Sequence, residues 1–163
     1  MMKTKAEEKV SILFICLGNI CRSPAAHAVM QHLVDERGWG NLYLIDSAGI
    51  GGWHVGHLPD KRMRECGRQR GYNVNHHARQ FDASRDFDCF DKIVVMDEAN
   101  YRNITSQAPN ETARKKVIRL ADFFTQHPSA TCVTVTYYGG TEDFNFALDL
   151  FDDGCEGILK ALS

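Results

Sequence analysis

The stretch Cys16-Leu17-Gly18-Asn19-Ile20-Cys21-Arg22, followed by Ser23 and Pro24, joins two different hydrophobic periods, and that junction limits the chain to few folds. Before it, Val10-Ser11-Ile12-Leu13-Phe14-Ile15 is a short apolar run of β-branched and aromatic residues, the composition of a strand buried in a parallel sheet. After it, Pro24 suits a first helical turn because its missing N–H is not needed there, and Ala25, Ala28, Val29 and Leu33 recur at helical spacing up to a stop at Gly38. Cys16 therefore sits where a strand ends and a helix begins.

Strand, tight loop and helix N-terminus together bind anions, because unpaired backbone N–H groups converge there and the helix dipole adds partial positive charge. Gly18 supplies the conformational freedom of a tight loop, and Asn19 is the residue type that next best tolerates left-handed geometry. The backbone of Leu17, Gly18, Asn19, Ile20, Cys21 and Arg22 is the expected phosphate cradle. Arg22, six positions after Cys16, can offer an oxyanion two parallel donors. The same positive field favours the thiolate, the nucleophilic form of Cys16. Ser23 can donate a hydrogen bond to that sulfur. Cys16 and Cys21 stand at opposite ends of one small loop, so a sulfenic acid on Cys16 can condense with Cys21 and escape irreversible oxidation. Two buried cysteines and an ordinary Gly-Asn turn would explain these residues singly but not together.

The rest of the chain alternates strand-like and helix-like segments, which argues for right-handed βαβ crossovers. Strands are expected at 42–46, 92–96 and 116–120, and helices at 59–70, up to 90, at 98–105 and at 141–162. The last carries Phe144, Leu148, Phe151, Cys155, Ile158 and Leu159 at three- and four-residue steps. A chain of 163 residues with 44% hydrophobic content can bury one good core, here placed at 10–163 behind a charged arm at 1–9. A net charge of −2 gives no electrostatic reason for nucleic acid or a membrane as partner, and a monomer is expected. No apolar stretch reaches the ~18 residues of a membrane span. Glu7, Glu8 and Arg22 argue against reading the first residues as a secretory leader. Six cysteines without a CxxC pair are expected as free thiols in a reducing cytoplasm.

The chain resembles the low-molecular-weight protein tyrosine phosphatases. The resemblance rests on residues 16–24 and continues through Asp46-Ser47-Ala48-Gly49, Trp53-His54-Val55-Gly56, Ala78-Arg79-Gln80, Met96-Asp97 and Tyr137-Tyr138-Gly139-Gly140, in the family's order. It implies a three-layer, doubly wound α/β fold around a four-stranded parallel sheet with helices on both faces. It also implies a phosphocysteine intermediate on Cys16, with Arg22 and Ser23 as the other catalytic residues and neither metal nor cofactor. By the same resemblance Asn19, Ser47 and His76 support the loop, while Leu17, Trp53, Tyr137 and Tyr138 wall a slot for an aromatic ring. The expected partner is a phosphotyrosine protein or small aryl phosphate, with inorganic phosphate as product and inhibitor.

The chain departs from the family at one position. The family places an Asp-Pro pair before the two tyrosines, and that aspartic acid protonates the leaving phenolate. Here the pair is Val135-Thr136, and residues 131–136 hold no carboxylate. Glu142 and Asp143 are near in sequence, but acidic residues after Thr141 also suit a helix start. Asp97 reads as a structural carboxylate. Three functions follow: a tyrosine phosphatase impaired at leaving-group protonation, a thiol-dependent arsenate reductase on a similar Cys-x5-Arg loop, or a non-catalytic phosphotyrosine-binding module.

Overall fold

The computed structural model describes residues 9–133 and 140–162. Strands β1 (Val10–Cys16), β2 (Tyr43–Gly49), β3 (Lys92–Val95) and β4 (Val117–Arg119) form one parallel sheet in the order β2-β1-β3-β4. The chain leaves β1 through α1 (Arg22–Glu36) to reach β2, then crosses back over β1 to β3. The strand order thus reverses at β1, and the crevice beyond its carboxyl end is where such sheets bind ligands. Cys16 closes that strand.

Period-two alternation in β1 divides the core between the sheet's two faces. Ile12, Phe14 and Cys16 face a cluster with Val29 and Met30 of α1, Met63 of α2 (Lys61–Gln69), and Leu148 and Phe151 of α6 (Thr141–Leu162). Leu13 and Ile15 face the other cluster. It includes Phe87 of α3 (Ala83–Cys89), Ile104 of α4 (Glu98–Ser106) and Ala113 of the short α5 (Glu111–Arg114). This is the expected arrangement of a central four-stranded sheet covered on both sides.

Some boundaries differ from the sequence expectation for local reasons. β2 runs past 46 because Ser47, Ala48 and Gly49 pair with Phe14, Ile15 and Cys16. Helix α2 begins at Lys61 and not at 59, because Asp60 caps it by accepting from the Arg62 N–H at 2.8 Å. The expected stops at Gly38 and Gly71 hold, both with positive φ. Among the described residues no helix is long and apolar enough to cross a membrane. All six cysteines are unpaired.

Candidate active site

The loop after β1 is fixed from both sides. Ile50 N–H donates to the Cys16 carbonyl at 3.0 Å and Gly51 N–H to the Leu17 carbonyl at 2.9 Å. A Cβ on Gly49 would stand 2.9 Å from the Asn19 nitrogen and from the Gly18 carbonyl carbon. Only glycine lets β2 approach the loop this closely, a requirement that the sequence motif contains but does not explain. At the far end Cys21 occupies the position before α1, whose first turn holds no acidic residue, so the positive end of the helix dipole is left for a ligand. No acceptor among the described residues takes the backbone N–H of residues 17–22.

Asn19 is the hub of this loop. Its φ is 57°, the one positive value at a described non-glycine residue, and its side chain is fully buried. Asn19 Nδ2 donates to Ser23 Oγ at 2.7 Å and to Ser47 Oγ at 3.1 Å, while its Oδ1 accepts from Arg79 N–H at 2.9 Å. These three bonds hold a backbone conformation that would otherwise be strained. Because Asn19 fills one lone pair of Ser23 Oγ, the single hydroxyl proton is free to point at Cys16 Sγ, 3.0 Å away. The next acceptor, the Ala48 carbonyl, is 3.5 Å distant.

His76, which the resemblance places in this network, meets the Ser47 backbone and not its hydroxyl. The Ser47 hydroxyl meets His27 Nδ1 at 3.3 Å, and the His76 ring stands edge-on to His27 with centroids 5.1 Å apart. His76 instead places its Nδ1 3.7 Å from Asp46 Oδ1. Residue 27 lies one turn along α1 from Ser23, a helical neighbour that reaches Ser47 first.

Arg22 Nη1 donates to Asp97 Oδ2 at 2.7 Å and to the Val133 carbonyl at 2.9 Å. Asp97 caps α4 through the Asn100 N–H, so one carboxylate aims the arginine and starts a helix. Burial alone would raise the Asp97 carboxyl, but hydrogen bonds from Arg22 and the Asn100 backbone hold it below its ordinary value. Asp97 is thus an anion and a poor proton donor. Asp60 is held low too: against burial, which raises it, stand hydrogen bonds from the Arg62 side chain and backbone.

Above Cys16 opens a cavity of about 200 Å³. Leu17, Trp53 and His54 line one part, and Asp60, Arg62 and Phe144 another. Trp53 is 69% exposed although its ring lies over Gly51, which suits a wall and not an anchor. Phe144 belongs to the expected apolar stripe of α6 but also lines this cavity. Arg62 lies over the Phe144 ring at 4.7 Å. Sequence reasoning missed Asp60, Arg62 and the second role of Phe144, because their signals are those of a cap, a surface cation and a core residue. Val135, Tyr137 and Tyr138 lie outside the described residues.

Comparison with known proteins agrees with this geometry. The family profile described as low molecular weight phosphotyrosine protein phosphatase matches residues 11–163. A Synechocystis sp. protein is 44% identical over 153 residues, 94% of this chain and 96% of that one. The low molecular weight phosphotyrosine protein phosphatase of Sus scrofa is 39% identical over 151 residues, 92% of this chain and 94% of that one. A crystal structure of a protein tyrosine phosphatase from Entamoeba histolytica, with Hepes in its active site, superposes with a TM-score of 0.90 at 40% identity. It covers 94% of this chain and 97% of that one.

Proposed function

The chain belongs to the low molecular weight phosphotyrosine protein phosphatase family, and from that premise we propose that it hydrolyses phosphotyrosine and other aryl phosphates through a phosphocysteine on Cys16. The observation that carries the proposal is the position of the Cys16 sulfur, at the base of a loop whose backbone N–H groups at 17–22 have no acceptor among the described residues.

In this mechanism the Cys16 thiolate attacks phosphorus, the S–P bond forms and the bond from phosphorus to the aryl oxygen breaks. The backbone N–H groups of Leu17, Gly18, Asn19, Ile20, Cys21 and Arg22, with the Arg22 guanidinium, hold the equatorial oxygens as charge spreads over them. Asp97 keeps the guanidinium aimed. Water then attacks the phosphocysteine, releasing inorganic phosphate and the Cys16 thiolate, which the Ser23 hydroxyl stabilises as leaving group. Asn19 and Ser47 preserve the loop's shape, with His76 further out. Leu17 and Trp53, with Tyr137 and Tyr138, select an aromatic ring, since only a long aryl side chain carries phosphorus to the base of the slot.

Leaving-group protonation is the weak step. Val135 has no proton to give, and Asp60 and Asp97 are held ionised. A second reading, a module that holds phosphotyrosine without turnover, draws on the same substitution. Cys21, pushed up to about 12 by burial and then by the nearby Cys16, serves as the resolving thiol when peroxide oxidises Cys16. Six unpaired thiols suit a reducing cytoplasm, which we take as the compartment.

Assays of p-nitrophenyl phosphate hydrolysis and of arsenate reduction with a thiol reductant separate the readings. Phosphate release without arsenate reduction is expected. Arsenate reduction without phosphate release would replace the proposal with the reductase, and inertness toward both with the binding module.

A further inference from the structure

Behind the nucleophile loop, and outside the cavity that holds Cys16, one nitrogen from each of His27 and His76 and one carboxylate oxygen of Asp46 all lie within 4.8 Å of one another. We propose that His27, Asp46 and His76 form a binding site for a divalent transition-metal ion of the zinc class. Two imidazoles and a carboxylate are the usual donor set for such an ion, with the fourth position left to water.

Four observations support the site. His27 comes from α1 and Asp46 from β2, and His76 comes from the irregular segment that leads to the β2 edge, where Gln80 bridges to Gly49. His76 Nδ1 stands 3.7 Å from Asp46 Oδ1 and its Nε2 is buried with no hydrogen-bond partner, so the ring is under-satisfied where it stands. A cavity of about 220 Å³ borders both histidines and is lined by Gln31, His32, Asn73 and Asn75, giving room and polar partners for a metal-bound water. The charge balance also favours a cation. Asp46 Oδ2 faces Arg79 at 3.1 Å, but Arg79 is neutralised in turn by the buried Asp86 at 3.1 Å, so two carboxylates stand against one guanidinium.

Tetrahedral bonds of about 2.0–2.2 Å place ligand atoms about 3.3–3.6 Å apart, so modest side-chain rotation closes the cluster around an ion. The Ser47 hydroxyl on His27 Nδ1 fixes that ring as an outer hydrogen-bond partner does in metal sites. The site is joined to the nucleophile through Ser47, Asn19 and Ser23, and the ion takes no part in the reaction proposed above.

The test uses the full chain carrying Cys16→Ser, which removes the reactive thiol as a competing ligand. Calorimetric titration with Zn²⁺ should show one ion per chain. Titration with Co²⁺ should give the visible spectrum of a nitrogen- and oxygen-ligated ion without a thiolate charge-transfer band. His27→Ala and His76→Ala should each weaken Zn²⁺ binding about tenfold or more. Should either variant fail to fold, NMR of the Cys16→Ser chain with Co²⁺ serves instead: ring signals of His27 and His76 should shift while those of His127 stay in place. The proposal is overturned by absence of saturable binding, by a thiolate charge-transfer band, by equal affinity in both folded histidine variants, or by cobalt shifts centred elsewhere.

Discussion

Arg22 and Asp97, 75 residues apart in sequence, meet through a 2.7 Å hydrogen bond between Nη1 and Oδ2, and this pair sets the direction of the guanidinium beside the loop. Arg22 is thereby held in place before any substrate arrives.

Removing Asp97 should loosen Arg22 without removing it. Asp97→Asn is expected to weaken phosphate inhibition and lower kcat/KM on aryl phosphates about tenfold, the scale of one charge-assisted hydrogen bond. The pH dependence has a definite sign. Because the folded carboxyl is held below its ordinary 3.8, the pair's contribution is complete above that value and is lost as pH falls through the lower folded value. Acid-unfolding curves should therefore be shallower in Asp97→Asn than in the parent chain.

Asn19 combines positive φ with three side-chain hydrogen bonds. Asn19→Gly keeps the conformation and loses the bonds, while Asn19→Ala loses both. The alanine variant should be the less stable of the two, by about 1 kcal/mol, and each should fall about 2–3 kcal/mol or more below the parent in denaturant titrations. Equal stability of parent and variants would remove Asn19 as the hub. Gly49→Ala, whose Cβ would stand 2.9 Å from loop backbone, should displace the loop and reduce phosphate binding.

A positioned general acid is worth about 10²–10⁴-fold in rate. With Val135 at that position, rates on a series of aryl phosphates should fall steeply as leaving-group pKa rises, and the alkaline limb given by a deprotonating acid should be missing. Val135→Asp with Thr136→Pro should flatten the dependence and raise phosphotyrosine turnover. If the parent already shows a shallow dependence, another carboxylate is acting as the acid. Asp143, next to cavity-lining Phe144, is then the first to replace, with asparagine.

Mild peroxide should convert the Cys16 thiolate to a sulfenic acid, and the Cys21 thiol should displace water from it to form a disulfide. Because Cys21 is pushed up to about 12, its thiolate is scarce at neutral pH, and ring closure should accelerate as pH rises. Peptide mapping should find the Cys16–Cys21 link, and Cys21→Ser should recover poorly with thiol. Full recovery of that variant would remove Cys21 from the role.

Strand, loop and helix around Cys16 were legible because their signals are local: a β-branched run, Gly18 and Asn19 where the loop tightens, and Pro24 at the helix start. The left-handed Asn19 and the Ser23 contact with sulfur follow from the same nine residues. Contacts between distant segments were legible only where the resemblance carried them, as for Asn19 with Ser47. Asp97 carried the signature of a helix cap and not of an arginine clamp. His27 looked like one more residue of α1, yet one helical turn past Ser23 puts it on Ser47, where His76 was expected. Phe144 obeyed the core periodicity of α6 and, at the end of that stripe, also entered the cavity wall.

The central claim is that Cys16 takes the phosphoryl group. The most direct measurement is rapid acid quenching during turnover of an aryl phosphate, followed by mass-spectrometric location of the phosphate. The phosphoryl group should be found on Cys16, and Cys16→Ser should lose turnover while still binding phosphate or vanadate, since the loop amides and Arg22 remain. Phosphate trapped on another residue, or a Cys16→Ser chain that keeps most of the parent's rate, would contradict it.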